Sequence, residues 1–339
     1  MFFIKFLIKR VLLLLLVVAG VSVFTFIISH SVPGDPLVAH LGQSALNNPE
    51  IVRTYTEKWG LDKPLAEQYL LYMKNLLKGD FGVSISSKRP VVEDLAKYFP
   101  ATFELATMAT IIAIGFGLLL GIRSATHYNK LSDHLGRAVS IVGISIPVFW
   151  LALLCMNLFY LRLGVMPSSG RLSLSYAGRR VPTGFLIIDS LSTGDLAMLR
   201  DALWHMILPA CVLAAATMGI ITRTVRSSML DVLGQDYLRT ARAKGLEDRV
   251  VISRHALRNA LIPTVTMFGL SYGSLLGGTV LVETVFDYPG LGWYAYNSAV
   301  SLDFPAIMGV TIVIACITAV MSLFVDVTYS IIDPRLRHS

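Results

Sequence analysis

Long uncharged apolar runs alternate along this chain with polar stretches rich in helix and turn signals. The runs cover residues 11–28, 105–122, 138–161, 203–222, 260–282 and 306–325. Each is about 18 to 24 residues long, enough to cross roughly 30 Å of hydrocarbon as a helix. In lipid every backbone N–H and C=O must be paired within the protein, so runs of this length form helices rather than open strands. The pattern predicts an all-α integral membrane protein with six transmembrane helices. Residues 1–30 form the N-terminus and first span, residues 31–99 a large outer loop, and residues 100–339 a five-helix core with an inner loop at 223–263.

The outer loop is patterned, not a plain linker. Asn48-Pro49-Glu50 reads as cap, first helical position and first-turn acid, for a helix that stops at Gly60. Pro64 opens a second helix with Leu65, Tyr69, Tyr72, Met73 and Leu76 on one face, and residues 90–99 suggest a third. These helices either cap the bundle or present a docking surface. Within the spans, Gly115, Gly117 and Gly121 invite close helix approach, as does the stripe Gly269, Gly273, Gly277, which suits packing within the chain or against a second subunit. Pro147 lies inside the third run, flanked by Ser145 and Phe149. It is either a packing kink or a bend where Ser145, Pro147 and Phe149 line a pathway or gate.

The inner loop is also expected to be helical. Asp236 can cap a helix over 237–244, and Gly245 suits a left-handed terminating residue. A second helix is expected from about Glu247–Asp248 to Asn259, with acids first and bases last. A two-turn helix is marginal alone, and the surface it needs is expected to belong to another protein.

Composition agrees with the membrane reading: 54% of residues are hydrophobic and 15% charged, against about 25% charged in soluble domains. The net charge of +7 reflects topology, not nucleic-acid binding. Eight Lys and Arg residues lie between Arg223 and Arg258, and none between Glu283 and Pro305 across the fifth run. The positive-inside rule therefore predicts both termini and the 223–263 loop to be cytoplasmic. The first run follows Lys5, Lys9 and Arg10 but is long for a signal core, and an uncleaved span is expected. Cys155, Cys211 and Cys316 all fall in apolar runs and are expected to be small buried residues.

No Gly-Lys dipeptide occurs, so no phosphate-cradling P-loop is present. Ionisable residues inside the spans, the usual mark of ion-coupled transport, are nearly missing. An ion-coupled secondary transporter, the rival reading, would also favour an inverted repeat, and none is visible. Transport by this chain would draw its energy from elsewhere.

Residues 236–245 (DYLRTARAKG) followed by 255–263 (HALRNALIP) resemble the cytoplasmic loop of ABC-importer permeases of the dipeptide/oligopeptide (peptide/nickel) family. So do Pro33-Gly-Asp-Pro36, Asp80-Phe-Gly82, Glu283-Thr-Val-Phe, Pro289-Gly-Leu-Gly292 and Asp333-Pro-Arg335, in the same order over the whole chain. The likeness is greatest to the B-type permease subunit of dipeptide systems. The family's loop motif carries a glutamate where this chain, aligned on Gly245, has Arg239-Thr240-Ala241.

The resemblance implies a type I ABC-importer permease with no catalytic residues, no cofactor and no metal of its own. ATP and Mg would sit on one or two cytoplasmic ABC ATPases. A second homologous permease would complete a heterodimer in the bacterial inner membrane, and an extracytoplasmic binding protein would deliver short peptides. Relatives of this type also carry haem, nickel or antimicrobial peptides. Asp236, Tyr237, Arg239, Thr240, Ala241, Arg242, Ala243, Lys244 and Gly245 would form the ATPase-coupling element.

Overall fold

The computed structural model describes residues 2–31, 48–176, 178–179 and 181–332. Pro33-Gly-Asp-Pro36 and Asp333-Pro-Arg335 lie outside the described residues. In chain order, helix α1 spans Phe2–Ser31, α2 Pro49–Trp59, α3 Leu65–Leu77, α4 Val91–Thr126 and α5 Leu131–Ser145. Then α6 spans Val148–Cys155 and runs on as a π-helical turn, Met156–Arg162, with α7 at Leu186–Thr193 and α8 at Leu196–Leu233. Helix α9 is Asp236–Ala243. Helix α10 covers residues 248–260, with a π-helical turn at Val251–Ala256. Helices α11, α12 and α13 are Ile262–Val285, Leu291–Val300 and Phe304–Ile332. Among the described residues there is no strand beyond an isolated bridge between Val83 and Pro90.

Four of these helices are long and apolar enough to cross a membrane, and up to five if α5 and α6 are taken as one bent span. The 138–161 run is the largest departure from expectation. Instead of one kinked helix it is two pieces bent by 107°. The proline ring disfavours helical backbone at the residue before it. Ile146 accordingly adopts φ −83°, ψ 125°, and the helix ends instead of bending. The expected third outer helix also disappears as a separate element, because residues 91–99 and the second span form the continuous 36-residue α4, with Pro100 inside it.

Helix α8 is the axis of the bundle. Its 38 residues extend about 57 Å, well past a bilayer core. It meets α4 at backbone distance: a Cβ on Gly117 would lie 2.7 Å from Ile221, and one on Gly121 2.9 Å from the Thr222 carbonyl. It meets α5 equally closely, where a Cβ on Gly143 would lie 2.6 Å from the Ala215 carbonyl and one on Gly219 2.7 Å from the Ser140 carbonyl. The Ser140 hydroxyl donates to the Gly219 carbonyl at 2.6 Å. Gly115, also expected to pack, faces open space. Cys211 and Cys316 are exposed and Cys155 is half-buried, so the three cysteines are not the buried residues expected. In a spanning helix an exposed face meets lipid, which asks only that it be apolar.

The outer-loop helices pack on the bundle. Asn48 caps α2 by accepting from the Glu50 N–H, and Gly60 ends it at φ +63°. Tyr69, Tyr72, Met73 and Leu76 of α3 pack on Phe26 of α1 and on Met308 and Ile312 of α13. Leu65 is exposed instead. Tyr69 and Ser22 share a hydroxyl hydrogen bond of 2.8 Å, and His30 Nε2 lies 3.1 Å from Gln68 Oε1.

The Asp80-Phe-Gly82 motif is a turn. Asp80 accepts from the Gly82 N–H and pairs with Lys58 at 2.5 Å, while Gly82 takes φ +86°. Burial pushes the Asp80 carboxyl up, but Lys58 and the Gly82 N–H outweigh it and hold its pKa below the ordinary value.

Gly121→Ala and Gly115→Ala should shift stability in opposite directions. The first puts a methyl group into the α4–α8 contact and costs ~1–3 kcal/mol. The second gains up to ~1 kcal/mol of helix propensity. Thermal unfolding of the detergent-solubilised protein distinguishes them.

Candidate functional site: the inner-face helix pair

Two elements carry polar side chains that the fold singles out. One is a set of clamps at the end of the bundle capped by α2 and α3, called the outer end after the sequence reading; the other is the α9–α10 pair at the opposite end, called the inner end.

At the outer end the Glu283 carboxylate is fully buried. It accepts from the Thr102 hydroxyl at 2.7 Å and from the Trp293 N–H at 2.9 Å. The same Thr102 oxygen accepts from the Leu291 N–H. Gly290 and Gly292 are required there: a Cβ on Gly290 would lie 2.5 Å from both Glu283 Oε2 and Thr102 Oγ1, and one on Gly292 2.6 Å from Val280 Cα. The Glu283–Gly292 motif is thus a latch that ties the end of α11 to α4 and α12. Asp94 and Asp303 do similar work. Asp94 accepts from Ser87, Arg89 and Tyr294, and Asp303 from Ser84, the Ser86 N–H and the Ala306 N–H. Every one of these acceptors is filled by the protein, so they hold structure and leave no free site.

At the inner end α8 closes at Leu233, and Gly234 and extended Gln235 lead into α9. Asp236 is the first helical residue and makes no side-chain cap bond; Gln235 takes the cap position. Gly245 has φ +79°, the left-handed conformation expected of it. Leu238 is fully buried and Ala241 packs against the main core. The Tyr237 hydroxyl accepts from Asn259 Nδ2 at 2.8 Å, and Arg242 Nε reaches Asp248 at 3.1 Å. Part of the surface that α9 needs is therefore its own chain's α10, and only the remainder is left for another protein. No short-range signal pointed to this, since Tyr237 and Asn259 are 22 positions apart.

The other side of α9 is bare. Asp236, Arg239, Thr240, Arg242, Ala243 and Lys244 are all exposed. The Asp236–Arg239 pair, 3.8 Å apart, keeps 95% and 86% of its side-chain surface in solvent, and an ion pair that exposed contributes little. Helix α10 begins where expected, but a π-helical turn interrupts it at Val251–Ala256.

The remaining expected residues are scattered. Ser145, Pro147 and Phe149 flank the α5–α6 break, all exposed. Gly273 faces α13, where a Cβ on it would lie 3.1 Å from Thr318 Cγ2, whereas Gly277 faces open space. Gly269 belongs to the same helix, α11. Gly269-Leu-Ser-Tyr-Gly273 has the Gly-x-Ser-x-Gly spacing of a hydrolase nucleophile. It lies within a helix, however, and not on the strand-to-helix elbow that exposes such a serine. Among the described residues no group of His, Cys, Asp and Glu could hold a metal.

Comparison with known proteins gives the class to which this apolar bundle belongs. Residues 113–338 match the family described as binding-protein-dependent transport system inner membrane component, and residues 3–106 match its N-terminal counterpart. A probable D,D-dipeptide transport system permease, DdpB of Escherichia coli K12, is 46% identical over 95% of this chain and 94% of its own length. The dipeptide transport system permease DppB of Alkalihalophilus pseudofirmus is 41% identical over 97% and 98%. The DppB of E. coli K12 is 38% identical over 98% and 99%. Among solved structures, the inward-facing MetNI methionine ABC transporter aligns with 72% of this chain and 94% of its own at 16% identity and TM-score 0.46. The chain belongs to the family of binding-protein-dependent transport system inner membrane components. It is a multi-pass permease subunit of such a system.

Leu238→Ala should release α9 from the bundle. Removing a fully buried leucine costs ~2–5 kcal/mol, and hydrogen exchange across residues 236–243 should rise. Arg239→Ala, on the bare side, should stay within ~0.5 kcal/mol of the parent.

Proposed function

We propose that this chain forms half of the translocation pathway of an ATP-driven importer of dipeptides and other short peptides, with α9 as the element on which a cytoplasmic ATPase acts. The observation that carries this reading is the two-sidedness of α9. One side is anchored by Leu238, Ala241 and Tyr237; the other offers Arg239, Thr240, Arg242, Ala243 and Lys244 to solvent just beyond the end of α8. A rigid short helix with small residues allows close seating in a cleft, and its bases can pair across a wet rim. The peptide cargo follows from the D,D-dipeptide and dipeptide relatives.

In this reading the chain has six spans: α1, α4, the bent α5–α6 pair, α8, α11 and α13. Helix α11 supports the count, because its 24 residues reach about 36 Å. Both termini and the 223–263 loop face the cytoplasm, and residues 31–99 cap the outer side. A second, homologous permease completes the pathway as a heterodimer. One or two ABC ATPases supply ATP and Mg sites, and this chain holds no cofactor. An extracytoplasmic binding protein delivers the peptide. The exposed apolar side chains beside the break, Phe149 and Trp150 among them, suit lipid or the second permease, and Ser145, Pro147 and Phe149 are placed to line or gate the pathway.

The test is a pull-down of the tagged chain from mild detergent, with ATPase activity assayed on the eluate. A second permease and an active ATPase should co-elute. Ala243→Asp is the informative variant, because Ala243 is exposed and a charge there leaves the fold intact. Ala241→Asp would also damage the core, and Gly245→Asp would strain a left-handed position. Ala243→Asp should stay inserted and folded while losing peptide uptake and ATPase co-elution. Normal uptake in that variant would overturn the assignment of α9.

A further inference from the structure

Four carboxylates are fully buried among the described residues: Asp94, Glu283, Asp303 and Asp133. The first three build the outer end. Asp133 alone lies at the inner end, and the bonds around it join four segments. Its Oδ1 accepts from Arg226 Nε at 2.6 Å and from the Ser124 hydroxyl at 2.5 Å. Its Oδ2 accepts from Arg226 Nη2 at 2.9 Å and from the Asn129 N–H at 3.0 Å. Arg137 Nε stands 3.7 Å away, and the Arg226 guanidinium lies over the Tyr128 ring at 5.6 Å. Ser124 belongs to α4, Tyr128 and Asn129 to the turn after it, Asp133 to α5 and Arg226 to α8.

A buried ion pair is a poor source of net stability, since well-packed apolar residues of similar volume often do as well or better. What a bidentate pair adds is register. Register matters here because the α5–α8 contact is made of small residues, and lipid gives no hydrophobic drive to hold one helix against sliding on another. The pair sits at the start of α5. From there α5 stays tied to α8 through Ser140 to the Gly219 carbonyl and through the close approach of Gly143 to Ala215, until it ends at Ser145 beside the 107° break. Arg226 sits on the last turns of α8, just ahead of α9.

We propose that the Asp133–Arg226 pair is a positioning device for transport: it locks α5 to the inner end of α8, so that displacement of α9 is delivered to the α5–α6 break instead of being lost as slip between helices. This rests on the importer reading above. Coupling through such a network requires a discrete element that moves as one body, and α5 with the inner half of α8 meets that description.

The experiment uses the complete transporter, this chain with its permease partner and ATPases, in proteoliposomes with the binding protein and labelled dialanine. Asp133→Asn keeps the shape and removes the charge. Arg226→Lys keeps the charge and loses the two-pronged geometry. The readouts are the amount of assembled complex and the dialanine imported per ATP hydrolysed.

Assembled Asp133→Asn complex should hydrolyse ATP while importing roughly two- to thirtyfold less per ATP, and Arg226→Lys should show a smaller loss of the same kind. Wild-type import per ATP in either assembled variant would overturn the proposal. If Asp133→Asn does not assemble, Arg226→Lys decides alone: a lowered ratio supports the coupling role, and an unchanged one leaves the pair purely structural. Absence of ATP-dependent uptake by the unmodified complex would instead overturn the importer reading on which the proposal stands.

Discussion

The bundle depends on α8 meeting two neighbours at backbone distance. Hydrocarbon on the outside is as apolar as leucine on the inside, so burying more leucine gains little in a membrane. Contact must come from close fit and from polar groups that have no better partner. Gly117 and Gly121 on one neighbour, Gly143 on the other and Gly219 on α8 itself supply the fit. The Ser140 hydroxyl on the Gly219 carbonyl supplies a polar bond at the closest point. A single added methyl group at these sites would land within 3 Å of another chain segment, so the three helices leave no room for a larger residue there.

Outside that apolar waist the structure changes its means of support. At both ends buried carboxylates, not packing alone, fix the loops. Glu283, Asp94 and Asp303 gather hydroxyls and backbone N–H groups from segments up to 219 positions apart. Glu104 joins them by accepting from Arg171 and from the Ile187 N–H, which holds the start of α7 on α4. Satisfied networks of this kind specify one arrangement strongly, because every alternative leaves a buried charge without partners. The outer face is therefore a fixed platform, whereas the residues at the α5–α6 break are exposed and have few polar ties.

Much of this could be read from residue order. Run length pointed to the spanning helices, Asn48 and Gly60 bounded α2, and Gly245 took the left-handed backbone that its position at the end of α9 demands. Most of the failures share a cause: they turned on a partner distant in sequence or on the solvent. Pro147 is the exception, a local effect: it ends α5 instead of bending it because Ile146 takes extended backbone. Cys211 and Cys316 look buried by composition yet are exposed, since lipid accepts what water would reject. The Glu283–Gly292 motif carried a family likeness without a mechanism until Thr102, 181 positions away, was seen to complete it. The Asp133–Arg226 pair was invisible for the same reason.

The anchoring of α9 bears on how force enters the protein. A free eight-residue helix would have to be ordered on contact, at a cost of about 1–2 kcal/mol per residue. Leu238 and the Tyr237–Asn259 bond meet that cost in advance. They also decide where a push on α9 goes. At its start α9 follows α8 with only Gly234 and Gln235 between, and along its length it is held by α10. Helix α10 leads into α11 with only Leu261 intervening. The short helix is therefore tied in sequence to two long ones, α8 and α11. At the far end α11 is latched to α4 through Glu283 and Thr102. That bond, between the end of one helix and the middle of another, fixes α11 at the end opposite to α9.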